Sequence, residues 1–197
     1  MMRSTFTALA VLTSLASVAS AQAGARRAAP STRASATVEL TLADTAAQRA
    51  AGKPALIHLD YGQPHLRGRT LHTADLVPYD QVWRLGANAS TLLTTDVNLT
   101  MGGQAVEAGR YIVQALPTRT GWTLILQRET SGAATVMPTR YDQTKDAARI
   151  PLKVSALHQP VESFTIALVP GTAAAANGGV LTIQWGTVQL QTDWVVR

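Results

Sequence analysis

Cysteine is absent from all 197 residues. That gap excludes disulfides, a thiol nucleophile and any thiolate metal site. The recognised catalytic signatures are missing as well. There is no G-x-S-x-G around a serine, and Ser90, in NAST, has no evident partner base. No HExxH or HxH spacing occurs. The Gly102-Gly103-Gln104 run lacks the following helix that a phosphate loop requires. The 12 acidic residues are scattered, with no pair marked by spacing for two-carboxylate hydrolysis. Helical periodicity is nearly absent, with room for a turn or two only at Thr45–Ala51 and Asp75–Trp83.

One apolar run does occur, and it lies at the N-terminus. MMR is a positively charged start, FTALAVLTSLASVAS is apolar, and ASAQA offers small residues in an A-x-A pattern. This order predicts a secretory signal peptide over residues 1–23, cleaved after Ala21 or Ala23. The expected location is therefore periplasmic or secreted. No later run is long enough to predict an integral membrane segment. About 170 mature residues suffice to bury a core without cross-links.

The formal charge of +5 suggests a nucleic-acid partner, but its distribution argues otherwise. From Pro54 onward there are 11 basic and 10 acidic residues. The excess sits in the N-terminal segment, with no interleaved aromatics on which bases would stack. Residues 24–36, GARRAAPSTRASA, read as a flexible leader, which leaves 37–197 as a single domain.

Across that domain the apolar residues alternate. Val38/Leu40/Leu42, Ile57/Leu59/Tyr61, Leu93/Thr95/Val97/Leu99, Tyr111/Val113/Ala115 and Trp122/Leu124/Leu126 each oppose polar neighbours. Ile150/Leu152/Val154, Phe164/Ile166/Leu168, Leu181/Ile183/Trp185 and Val188/Leu190 continue the pattern. Some nine half-buried strands follow. Gly102-Gly103 fits a two-residue hairpin turn. The expected fold is all-β: an antiparallel β-sandwich, jelly-roll-like or immunoglobulin-like, with one long packed loop.

That loop is the interval from Tyr61 to Thr91, which has little alternation but carries Leu71, Leu76, Val77, Tyr79, Val82, Trp83 and Leu85. Loops this long are commonly functional or disordered, and its apolar content points to packing. Its polar residues supply the candidate site. Tyr61, His65, Arg67 and Asn88 are the expected ligand-binding residues, while Arg69, Trp83, Arg84 and Gly86 are expected to anchor the loop. Arginine forks satisfy several backbone carbonyls at once. An alternative is a metal site: His58 and Asp60 share one face of a strand, with His65 and His72 nearby. No spacing supports it, so no metal and no other cofactor are expected.

The motifs YGQPHLRGRTL, LVPYDQVWRLGANAST, LTMGGQAVEAGRYIV and GWTLIL resemble a group of bacterial exported proteins, domain of unknown function 2911. The family pattern maps onto Tyr61, Pro64, Arg67, Gly68 and Arg69, then Val77, Pro78, Val82, Trp83, Arg84, Gly86, Ala87 and Asn88. Ala108, Gly109, Tyr111, Tyr141, Asp142 and Asp146 complete it. Ala89 stands where the family often has an acid, and Asp80 where it usually has a small residue. The resemblance implies an exported β-rich domain and brings no reaction with it.

Two functions suit this chain. One is a binding module whose 62–90 loop takes a small molecule, a glycan or an envelope protein, with sugars and anions suiting arginine beside an aromatic face. The other is a metal-assisted hydrolase using His58, Asp60, His65 and His72. The balance of residues favours the non-enzymatic reading.

Overall fold

Nine strands carry the architecture: β1 (Thr32–Leu40), β2 (Ala55–Gln63), β3 (Thr91–Thr95), β4 (Leu99–Met101), β5 (Gln104–Val106), β6 (Gly109–Pro117), β7 (Trp122–Arg128), β8 (Asp146–Pro170) and β9 (Gly178–Val196). The computed structural model describes residues 29–41, 52–172 and 177–197. The signal-peptide reading, the 45–51 turn and part of the leader lie outside those residues. Among the described residues the helical content is one 3-10 turn, Gln143–Lys145. No helix of the described residues is long and apolar enough to cross a membrane.

Every strand pairing is antiparallel, in the order β1-β2-β3-β6-β7-β8-β9-β4-β5. The all-β, sandwich-like expectation holds, with one difference. The two halves form a continuous sheet, because β8 serves both: Asp146–Leu152 pairs with β7 and Lys153–Pro170 with β9. The halves also meet beyond β2. Phe164 donates its N–H to Pro64 O at 2.9 Å, and Leu66 to Glu162 O at 2.9 Å. The chain leaving β2 therefore reaches the far end of β8.

The strand ends follow local chemistry. Gly102 (φ 51°) and Gly103 (φ 81°) make the tight β4–β5 turn, where Met101 pairs with Gln104. Positive φ at both central positions is what a type I′ hairpin requires. β9 doubles back at Gly186–Thr187. Gln184 Nε2 donates to Gln189 Oε1 at 2.6 Å, Gln191 Nε2 to Thr182 Oγ1 at 3.2 Å, and Val196 N–H to Asn177 O at 2.7 Å. A straight strand rising ~3.3 Å per residue could not bring those residues together. Gly186, at φ 57°, permits the reversal.

Two sequence expectations need correction. Residues 32–36, assigned to the flexible leader, form the start of β1, whose nine residues all pair with β2. Alanine and serine give little alternation signal, yet Ala34 and Ala36 pack against the core while Arg33 and Ser35 face outward. The alternation over 93–99 predicted one strand, but it splits at Asp96–Asn98 into β3 and β4, which sit in different parts of the sheet.

Leu93, Leu99, Met101, Leu124, Leu126, Ile150, Phe164 and Trp194 are each no more than 1% exposed. Burial of such side chains stabilises by ~1.5–3 kcal/mol apiece. The core holds a small apolar void of about 10 Å³, lined by residues such as Leu59, Leu93, Leu124 and Ile166. Leu92 and Ile125 are buried but lie outside the core cluster. They belong to the opposite side of the sheet, where the 129–145 connection crosses and Ser90 donates to Val136 O at 2.8 Å.

Candidate functional site

The chain between β2 and β3 carries no regular strand, so its backbone polar groups need partners elsewhere. Trp83 and Ala115 exchange both backbone hydrogen bonds at 2.8 Å. Asp80 N–H donates to Pro117 O at 2.8 Å and Ala87 N–H to Gly62 O at 3.1 Å. Thr91 Oγ1 donates to Leu85 O at 2.6 Å. The segment thus runs alongside the end of β6 that β3 leaves unpaired. Leu66, Leu76, Val77 and Leu85 are buried beneath it.

Trp83 fixes the segment to the core. Its ring stacks on Trp185 (5.6 Å, 15°) and meets Phe164 (5.2 Å, 78°) and Trp122 (6.4 Å, 79°) edge-on. Gly86 completes the anchorage through close approach: a Cβ there would lie 2.8 Å from Gly62 O. A Cβ on Gly62 would lie 1.9 Å from Ala87 O. Backbone rests directly on backbone at this point, which only glycine allows.

The loop is also conformationally strained. Arg67, His72, Val77, Asp80, Leu85 and Asn88 have φ between 51° and 63°, and every positive-φ non-glycine among the described residues lies here. Each such residue costs roughly 1–2 kcal/mol, more for a β-branched one such as Val77. Strain of this kind persists only where the surroundings over-determine it, and it gathers at ligand clamps and switches.

Arg67 and Arg84 exchange the roles their sequence context suggested. Arg69 Nε donates to Leu66 O (3.0 Å) and its Nη2 to His65 O (2.8 Å), closing a local turn. Arg84 is exposed and makes no side-chain hydrogen bond or salt bridge among the described residues. Its expected anchoring role is corrected: Trp83 points into the core, so its neighbour in extended backbone points away. Arg67, expected to face a ligand, donates from Nη2 to Pro30 O at 2.7 Å, and its N–H reaches Glu162 Oε1 at 2.8 Å. Asn88 Nδ2 donates to Ser31 O at 3.3 Å. Both residues hold the segment that leads into β1.

Tyr61 also needs correction as a ligand contact. It is 2% exposed. Its hydroxyl accepts from Ile166 N–H at 3.1 Å and lies 3.5 Å from Ile166 O, while its ring meets Phe164 edge-on. It continues the inward row of Ile57 and Leu59 and belongs to the core. His65 is half-buried, with Nδ1 2.8 Å from Ser163 Oγ.

The structure does not gather the four residues of the metal alternative. His58 Nδ1 lies 2.7 Å from Thr37 Oγ1, and Asp60 accepts from Arg33 Nε at 2.9 Å. His65 is on Ser163, and His72 is stacked between other rings. Among the described residues no three His, Asp or Glu side chains converge as metal ligands. The cause is strand geometry: β2 keeps His58 and Asp60 on the outward face, while His65 pairs with β8 past the strand's end.

A different group emerges at the loop's surface. His72 stacks on Tyr79 (4.1 Å, 8°), and Arg119 lies over the same tyrosine ring at 5.2 Å. His72 Nδ1 is 3.1 Å from Val77 O. Burial lowers its pKa from the ordinary histidine value, and the Val77 carbonyl opposes that shift. The sequence reading counted Tyr79 as packing and passed over Arg119, which stands in the β6–β7 turn forty residues away. Proximity of that kind has no local signal.

A second polar node fastens the 129–145 connection. Asp146 accepts from Tyr141 Oη (2.7 Å), Arg149 Nη1 (2.8 Å) and Gln127 Nε2 (2.9 Å), and Gln127 also reaches Asp142 O at 2.7 Å. Burial, then the Asp146 hydrogen bond, raises the Tyr141 pKa. The Asp146 hydrogen bond raises that of Arg149. Tyr141 Oη, Gln127 Nε2 and Arg149 Nη1 each find partners within the node, as in a structural tie.

Fold and site together define an all-β domain that presents a strained, core-anchored loop. The chain belongs to the family described as "Protein of unknown function (DUF2911)", which matches over residues 43–193. Neither the curated proteins nor the solved structures give a significant match.

Proposed function

We propose that this protein is an exported binding module whose ligand surface is the exposed side of the 64–90 loop. The ligand class is an acidic carbohydrate of the cell envelope. The observation that carries this reading is the concentration of six left-handed, non-glycine residues in one loop that Trp83 locks to the core. A backbone held at that cost keeps a fixed surface for recognition. On it, the Tyr79 ring, stacked by His72, holds the Arg119 guanidinium over it at 5.2 Å. Arg84 contributes an uncommitted guanidinium fork, which matches carboxylate or phosphate geometry.

Calorimetric titration with a uronic-acid oligosaccharide, against a neutral oligosaccharide of equal length, tests this. Saturable binding of the acidic ligand is expected, weakened at least tenfold in the Arg84→Ala/Arg119→Ala double variant and at raised salt. Equal binding of both ligands, or an unchanged affinity in the double variant, refutes it.

A further inference from the structure

β1 and β5 are the two end strands of the sheet. Among the described residues β1 pairs only with β2, through nine residues from Thr32↔Gln63 to Leu40↔Ala55. The family match begins at residue 43, after β1 has ended. Its core-facing residues begin small, with Ala34 and Ala36, and end with Val38 and Leu40. Only Val38 among them is fully buried.

What grips this strand is largely main-chain recognition. Arg67 Nη2 binds Pro30 O at 2.7 Å, and Asn88 Nδ2 binds Ser31 O at 3.3 Å. Both clamp residues are among those in left-handed backbone, at φ 51° and 60°. Carbonyl contacts of this kind hold an extended backbone whatever its side chains. Two side chains of β1 are read as well: Arg33 pairs with Asp60 at 2.8 Å and reaches Ser90 O at 3.4 Å, and Thr37 Oγ1 lies 2.7 Å from His58 Nδ1.

We infer that the β2 edge, with Arg67, Asn88 and Asp60, is a binding site for an extended polypeptide, occupied here by the chain's own residues 30–40. The ligand chemistry follows from the occupant. It is an extended segment with apolar residues at alternate positions and an arginine opposite Asp60. Recognition is by strand addition, with main-chain bonds supplying affinity and alternate side chains supplying selectivity. Fourteen residues separate the end of β1 (Leu40) from the start of β2 (Ala55), 55 − 40 − 1 = 14. Covalent connection makes the occupant's binding intramolecular, which favours it over a free peptide. The site is thus closed in the intact chain until β1 is weakened or outcompeted. This site is separate from the Tyr79–Arg119 surface, and either can fail without the other.

The test uses the full chain and a fluorescent peptide of residues 29–41, followed by anisotropy. Arg33→Ala, made in the protein and not in the peptide, removes the contacts to Asp60 and Ser90 from the resident strand. It should raise peptide affinity at least fivefold over the unmodified chain. Adding Asp60→Ala, whose carboxylate then serves only the peptide's arginine, should cancel that gain, and a scrambled peptide should not bind. Circular dichroism of Arg33→Ala should retain the β spectrum. Loss of that spectrum would show β1 to be integral to the fold and overturn the inference. So would unchanged peptide affinity in Arg33→Ala, or equal binding of the scrambled sequence.

Discussion

Replacing Trp83 with alanine removes the contact on which the loop depends. Its indole stacks on Trp185 and touches Phe164 and Trp122 edge-on, while its backbone bridges to Ala115. Full burial of a tryptophan makes its truncation cost ~3–5 kcal/mol. Trp83 is only partly buried, which places the transfer and cavity cost near the low end. The lost aromatic pairs add roughly 0.5–1.5 kcal/mol. A total of about 4 kcal/mol is expected. Urea denaturation followed by far-ultraviolet circular dichroism measures it, and an unchanged m-value would show that the unfolded state is unaffected. Trp83→Phe should recover part of the loss, since it keeps an edge for Phe164. A cost under about 1 kcal/mol for Trp83→Ala would refute the anchoring role. The strained backbone would then lack its main restraint.

Arg84→Ala, next in the chain, should cost under about 0.5 kcal/mol in the same denaturation experiment, as exposed substitutions do. Arg69→Ala should cost about 0.5–1.5 kcal/mol, the worth of an ordinary hydrogen bond, since the His65 contact is exposed and Leu66 O keeps the Arg69 N–H. Gly62→Ala drives a methyl to 1.9 Å from Ala87 O, so the backbone must separate. A loss of about 3 kcal/mol or more is expected, and a thermal melt unchanged from the parent would contradict the close packing. His72 has a folded pKa below its unfolded one because burial disfavours the cation. The unfolded chain therefore binds the extra proton first. Stability from this group is present above the ordinary histidine pKa and falls as pH drops through it toward the lower folded value. His72→Gln should flatten that part of a stability-against-pH curve; an identical slope in the variant would remove His72 as its source.

Much of the fold was legible because most strands are buried on one face. Ile57/Leu59/Tyr61 and Phe164/Ile166/Leu168 advertise their inward rows directly. Gly102-Gly103 marked its turn through the conformations glycine permits. β1 was harder, since Ala34 and Ala36 give little contrast with Ser35. The break at Asp96–Asn98 was hidden because alternation carries on through Val97 and Leu99 while the chain changes neighbours. The loop's packed character could be read from Trp83 and Leu85, but the roles of its arginines could not. Which guanidinium meets a carbonyl depends on residues such as Pro30, thirty-seven positions from Arg67. Tyr61 is instructive in the other direction. Its place in the Ile57/Leu59 row already argued for the core, and its polar hydroxyl finds a buried partner at Ile166.

The central claim is that the 64–90 loop is a fixed recognition surface, and a nitrogen-15 NMR titration tests it most directly. With the acidic oligosaccharide added, shift changes should localise to Tyr79, Arg84, Arg119 and their chain neighbours. The amides of Trp83 and Ala87 should remain protected from hydrogen exchange throughout, as hydrogen-bonded members of the fold. Shift changes confined to the outward face of β8 and β9, or rapid exchange at Trp83 and Ala87 in the free protein, would contradict the account.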